Sequence, residues 1–206
     1  MKFLQHTSCL FRAAMCALVL AVLWDVTAYG AACQTLPDQV LRLHVVAASD
    51  NEEDQALKLA VRDEVLAVVA SLGNGAQTPF EMQSALCTHL ETIRKAAEDV
   101  IRRKGHGEAV QVFFVDMMFP DCVYGGFVLP AGNYRALRVV IGEGKGHNWW
   151  CMLFPSLCLP EATVSQPEEV FSEAQQEVTN AQKYEVKFLA VEWLKQLTHA
   201  LSGVEE

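Results

Sequence analysis

Residues 142–151, Gly-Glu-Gly-Lys-Gly-His-Asn-Trp-Trp-Cys, hold the densest set of chemically capable side chains in the sequence. Glycines beside a lysine can cradle phosphate. A phosphate loop, however, needs GxxxxGK[ST] opening a helix, and Gly142–Gly146 lacks that spacing and runs into Asn148-Trp149-Trp150, so a sharp turn explains the glycines. His147 and Cys151 can be drawn as an imidazole–thiol nucleophile pair with Asn148 beside them. A cysteine set among Trp, Met, Leu and Phe is more often buried or bridged than activated, and the nearest disulfide partner in the chain is Cys158. The remaining chemistry is recognition. Adjacent strand residues face opposite sides, so one ring of Trp149 and Trp150 enters the core while the other looks outward or meets another layer, where a tryptophan can anchor a protein partner. Gly144, His147, Asn148, Trp149 and Trp150 are the candidate partner-binding residues, and none is assigned a catalytic role.

Other polar groups read as structural. His44 could join His147, Cys151 and Cys158 as metal ligands, but such a set is scattered without paired spacing, and a hydrogen-bonded core histidine is expected. Asp50, Glu52, Glu53 and Asp54 lack EF-hand spacing and suit the positive end of a helix dipole. The absence of a CxxC pair removes zinc ribbons and thioredoxin-type motifs. No metal, cofactor or small-molecule substrate is expected.

The elements that must hold these residues follow from periodicity. Val40 to Ala47 alternates, with Leu41, Leu43, Val45 and Ala47 on a buried face and Arg42 and His44 on the other, which predicts a strand. Ser49, with Glu52 three residues on, predicts a capping box opening a helix whose stripe is Leu57, Val61, Val65, Val68 and Leu72, with Gly73 as a left-handed stop. Thr78-Pro79-Phe80-Glu81 opens a second helix. Its stripe is Met82, Leu86, Leu90, Ile93, Ala97 and Val100, and Gly105 closes it. Ala109 to Phe119, Tyr134 to Ile141 and Trp149 to Phe154 read as strands, the last ended by Pro155 or confined to a sheet edge. The order predicts an α+β two-layer sandwich with a mainly antiparallel sheet, two long helices after the first strand and a C-terminal helix.

Residues 1–32 have a basic start at Lys2 and Arg12, an apolar run from Ala13 to Trp24 and small residues from Thr27 to Ala32, the layout of a signal peptide. Counted through Asp25 the segment would also serve as an N-terminal membrane anchor. Cys33 follows Gly30-Ala31-Ala32, a weak lipoprotein box because Gly30 stands where leucine is normal. The division expected is 1–32 leader or anchor, 33–158 core, 159–180 acidic linker with a helical turn around Glu168 to Glu177, and 181–206 a C-terminal helix packed on the domain. The whole chain has a net charge of −9, and loss of Lys2, Arg12 and Asp25 with the leader makes it −10, which argues against nucleic-acid binding through bulk charge.

Two stretches carry a resemblance. Leu41-Arg42-Leu43-His44-Val45-Val46-Ala47-Ala48-Ser49-Asp50, continuing through Glu53 to Leu59 and Val61-Arg62-Asp63, resembles the opening block of the stage II sporulation protein R family. The second block is Phe119-Pro120, Tyr124-Gly125, Leu129 to Gly132, Tyr134, the run from Ala136 to Cys151, Phe154-Pro155 and Leu157-Cys158. Cys122 and Ser156 depart from the family pattern, where a polar or basic residue and a proline are usual. The resemblance implies a non-enzymatic signal of endospore formation, secreted across the forespore membrane into the intermembrane space. There it would activate a membrane-embedded aspartic protease that processes the sigma-E precursor. The competing reading is an extracytoplasmic thiol-dependent hydrolase using Cys151 and His147.

Overall fold

The computed structural model describes residues 2–124, 127–155 and 170–180, with side chains from residue 11 onward. The fold is α+β, and its main sheet has the order β2-β5-β1-β6, formed by β1 (Leu41–Val46), β2 (Val110–Phe119), β5 (Gly132–Ile141) and β6 (Asn148–Phe154). β1 pairs with β5 in parallel, while β1–β6 and β2–β5 are antiparallel. The sheet is therefore mixed with antiparallel pairing in the majority. β6 is an edge strand and stops before Pro155, which has no N–H for a ladder. A small hairpin of β3 (Cys122–Tyr124) and β4 (Phe127–Leu129) went unread in the sequence because three-residue strands carry no periodicity.

One face of the sheet is covered by α2 (Glu52–Leu72) and α4 (Leu90–Arg103). Leu43, Val45, Leu137, Val139 and Leu153 meet Val61, Val65, Val69, Ile93 and Ala97 there, all fully buried. α2 is capped by Asn51 rather than Ser49. The Asn51 side chain accepts from the amide of Asp54 at 2.7 Å, while the Ser49 hydroxyl donates to the Asp54 carboxylate. Gly73 has φ −89° and is not a left-handed stop. The Met82 side chain occupies the space where a Cβ would stand, with its Sδ 2.1 Å from that position, so a larger residue there would require Met82 to shift. Gly105 does close α4 with φ +83°.

The second predicted helix is broken. α3 (Pro79–Cys87), capped by Thr78, ends at Thr88, and α4 begins after His89. The Thr88 hydroxyl and His89 Nδ1 both approach the carbonyl of Ala85, at 3.0 and 2.8 Å, side-chain competition that disrupts a helix. The apolar stripe continues across the break, so periodicity alone could not reveal it.

β1 was expected to bury one face, yet every residue of it is buried, Arg42 and His44 included. The second face is covered by the 3₁₀ turn Leu36–Gln39, by the β3–β4 hairpin and by Phe171, whose ring stacks on Phe127. Residues 170–180 contain α5 (Glu173–Thr179), opened by a Ser172–Gln175 capping box, and Phe171 and Val178 are buried. Residues 159–169 of the expected linker, the expected C-terminal helix 181–206 and Cys158 lie outside the described residues.

The N-terminal helix α1 (Lys2–Thr35) runs without a break past Asp25. The stretch Phe11–Gln39 is long and apolar enough to cross a membrane, and Phe11, Leu18, Leu20, Leu23 and Trp24 are exposed. It is not a core helix of the domain, and its character suits a signal sequence or an anchor.

Candidate functional site

Parallel pairing of β1 and β5 puts their carboxyl ends side by side, where loops from an α/β layer commonly gather functional groups. The chain leaving β1 is Ala47 to Asn51, and the chain leaving β5 is Gly142 to His147. The two loops are locked together. Lys145 N–H donates to the Ala48 carbonyl at 3.2 Å, and Gly146 N–H donates to the Ala47 carbonyl at 3.0 Å. The contact is so close that a Cβ on Gly146 would lie 2.2 Å from the Ser49 carbonyl oxygen, so only glycine fits. Gly144 has φ +63°, and a Cβ there would also strike Val140 at 2.6 Å.

Asp50, read from the sequence as a helix-dipole acid, grips the turn. One carboxylate oxygen accepts from the His147 backbone N–H at 2.6 Å and lies 2.5 Å from His147 Nδ1. From below, Lys58 Nζ donates to the His147 carbonyl at 3.0 Å and to Gln55 at 2.6 Å. Burial lowers the Lys58 pKa, with Asp50 opposing the shift and Arg62 adding to it. Glu143, Lys145 and His147 project outward, with 74, 74 and 76% of their side chains exposed.

The tryptophans divide between the faces, and both are half-buried. Trp149 packs against the helix-side core beneath Arg62, whose guanidinium lies 4.3 Å from the ring centre. Trp150 turns to the other face, stacked on His44 with ring centres 3.9 Å apart and edge-on to Phe119 at 4.6 Å. His44 Nε2 lies 2.8 Å from Asn148 Oδ1, so Asn148 ties the rim to the interior. Burial pushes the His44 pKa down to about 4, against the opposing hydrogen bond to Asn148 and with help from Arg138 and Arg42. Arg42 is fully buried, with its guanidinium over Phe119 at 3.9 Å and one nitrogen donating to the Tyr124 hydroxyl at 2.8 Å.

The thiol reading loses its nucleophile. Cys151 is 1% exposed, sits opposite Leu43 in the helix-side core, and its sulfur is in a disulfide whose partner lies outside the described residues. His147 is at the exposed rim, so the two residues do not share an environment. Cys33 and Cys122 are free thiols. The contacts of Asp50 and Lys58 with His147 and of Arg62 with Trp149 were not legible in the sequence, because they join segments far apart in the chain and charge patterning within a helix gives no sign of them.

The loops joined at this rim lie within the two blocks of sequence that carry the resemblance. The family model for stage II sporulation protein R (spore_II_R) matches residues 37–164. The chain belongs to the stage II sporulation protein R family. It is 32% identical over 185 residues to the stage II sporulation protein R of Bacillus subtilis (strain 168), covering 79% of this chain and 83% of that protein. No solved structure matches it. Membership supports a role in sporulation, and the family is named for that process rather than for an enzymatic activity.

Proposed function

We propose that this protein is a secreted signal of endospore formation, exported across the forespore membrane by its N-terminal helix. It activates a membrane-embedded aspartic protease, which then processes the sigma-E precursor. The rim formed by Ser49–Asp50 and Gly142–Trp150 is the surface that engages the protease. The observation carrying this placement is the interlock of the two loops, which presents the exposed side chains of Glu143, Lys145 and His147 on a backbone held by Asp50 and Lys58. A preorganised loop binds with little loss of conformational entropy, and binding to the active state of a partner shifts its population without any chemistry by the ligand. A buried, bonded sulfur at Cys151 speaks against the thiol hydrolase.

Reconstitution of the purified chain with the protease and its sigma-factor precursor tests the proposal. His147→Ala, Asn148→Ala and Trp150→Ala should each abolish processing, and unchanged processing in all three refutes the placement. His147→Ala is the cleanest variant because its side chain is exposed, whereas Trp150→Ala also removes the stack on His44 and needs a melting curve beside it. Serine at both Cys151 and Cys158 should cost about 2–4 kcal/mol of stability and leave signalling in place, whereas a thiol enzyme would be dead.

A further inference from the structure

We infer that Asp54, His106 and Glu108, with Glu53 beside them, form a binding site for a first-row divalent cation of the Zn²⁺ type. The residues come from two parts of the chain: Asp54 from the first turn of α2, and His106 and Glu108 from the short connection between α4 and β2. Their donor atoms nevertheless lie within 4.8 Å of one another. The His106 side chain is 16% exposed, with Nε2 3.3 Å from a Glu53 oxygen and Nδ1 3.6 Å from a Glu108 oxygen. Asp54 and Glu108 present carboxylate oxygens to the same small space as one His106 ring nitrogen, a mixed nitrogen–oxygen donor set that a divalent cation can bridge.

The surroundings favour the metal because the donors are held in advance. The Asp54 carboxylate is oriented by the Ser49 hydroxyl at 2.6 Å and the Asn51 amide at 3.2 Å. The His106 backbone N–H donates to the Ile101 carbonyl at 3.0 Å, just after the left-handed Gly105. Glu108 packs over Gly142, where a Cβ would lie 3.4 Å from its Cγ. Outer contacts of this kind commonly fix metal ligands. An adjoining hollow of about 240 Å³, lined by Glu53, Ala56, Leu57, Lys104 and His106, has room for water to complete the coordination. One imidazole nitrogen with carboxylate oxygens and no thiolate suits Zn²⁺ or Mn²⁺, while Ca²⁺ and Mg²⁺ prefer all-oxygen shells. A bound ion would clamp the start of α2 to the lead-in of β2, directly behind the Ser49–Asn51 loop. This site stands independently of the protease proposal, because it is read by binding alone.

The test is calorimetric titration of the full chain in detergent, stripped of metal and without a polyhistidine tag, using Zn²⁺ as the probe. Metal content is measured after desalting. One ion per chain is expected, and His106→Ala and Glu108→Gln should each weaken binding on the order of 100-fold while the metal-free circular dichroism spectrum stays that of the parent. The inference is overturned if the parent shows no saturable binding at micromolar Zn²⁺. It also falls if both variants bind as the parent does, or if equimolar Ca²⁺ displaces the ion.

Discussion

Around β1 the two faces of the sheet are both buried, but by different means. The helix-covered face is apolar at its centre, with Leu43, Val45, Leu137, Val139 and Leu153 against α2 and α4, and its polar atoms lie toward the margins, at Trp149 Nε1 and the Arg135–Asp116 pair. The opposite face buries Arg42 and His44 among Phe119, Tyr134 and Met152, with Trp150 and Arg138 beside them. There Arg42 Nε and Nη1, His44 Nδ1 and Arg138 Nε are buried without a hydrogen-bond partner among the described residues. Aromatic faces compensate part of that cost, since the Arg42 guanidinium lies 3.9 Å from the centre of Phe119 and 5.1 Å from that of Tyr134. The first face is a stability device, and the second spends stability to carry polar groups that reach the rim through Asn148. Evenly distributed stability is not what this architecture provides.

The contrast can be broken by measurement. Leu43→Ala on the apolar face should lower the unfolding free energy by about 2–5 kcal/mol in urea titrations, because it removes buried methyls and leaves a cavity. A loss below about 1 kcal/mol would mean that this face is not the one carrying the fold. Acid should attack the other face. His44 titrates near 6.5 when unfolded and near 4 when folded, so the unfolded chain binds the extra proton first. The stability from neutral His44 is therefore complete above pH 6.5 and is lost as pH falls toward 4, with a magnitude on the order of 3 kcal/mol. His44→Gln, which retains a donor for Asn148, should flatten that part of the pH profile, and an unaltered profile would place the acid sensitivity elsewhere.

Smaller effects sharpen the comparison. Asn51→Ala removes the cap of α2 and should cost about 1 kcal/mol by thermal melting, whereas Ser49→Ala should cost less because its hydroxyl meets only the Asp54 side chain and the Asn51 amide. Arg42→Leu should change stability by less than about 1 kcal/mol, since replacing a buried, incompletely paired charge with an apolar side chain is often neutral or favourable. A loss above about 3 kcal/mol would show that the guanidinium is fully compensated in the native protein, and the two faces would then be energetically alike.

What the residues of this chain determined alone was local. Alternation in Val40 to Ala47 and in Tyr134 to Ile141, the stripe of α2 and the Thr78-Pro79 helix start could be read directly, because a strand or helix face is set by side chains a few positions apart. The run through Cys151 identified the family for a similar reason, being contiguous. Tertiary structure decided the rest. It chose the parallel partnership of β1 with β5 that brings Ser49–Asp50 against Gly146–His147, buried Arg42 beneath a second layer, and brought Asp54 to His106 and Glu108. Each of these depends on which segments meet across long stretches of chain, and burial on a second face is a property of the covering layer rather than of the strand that is covered.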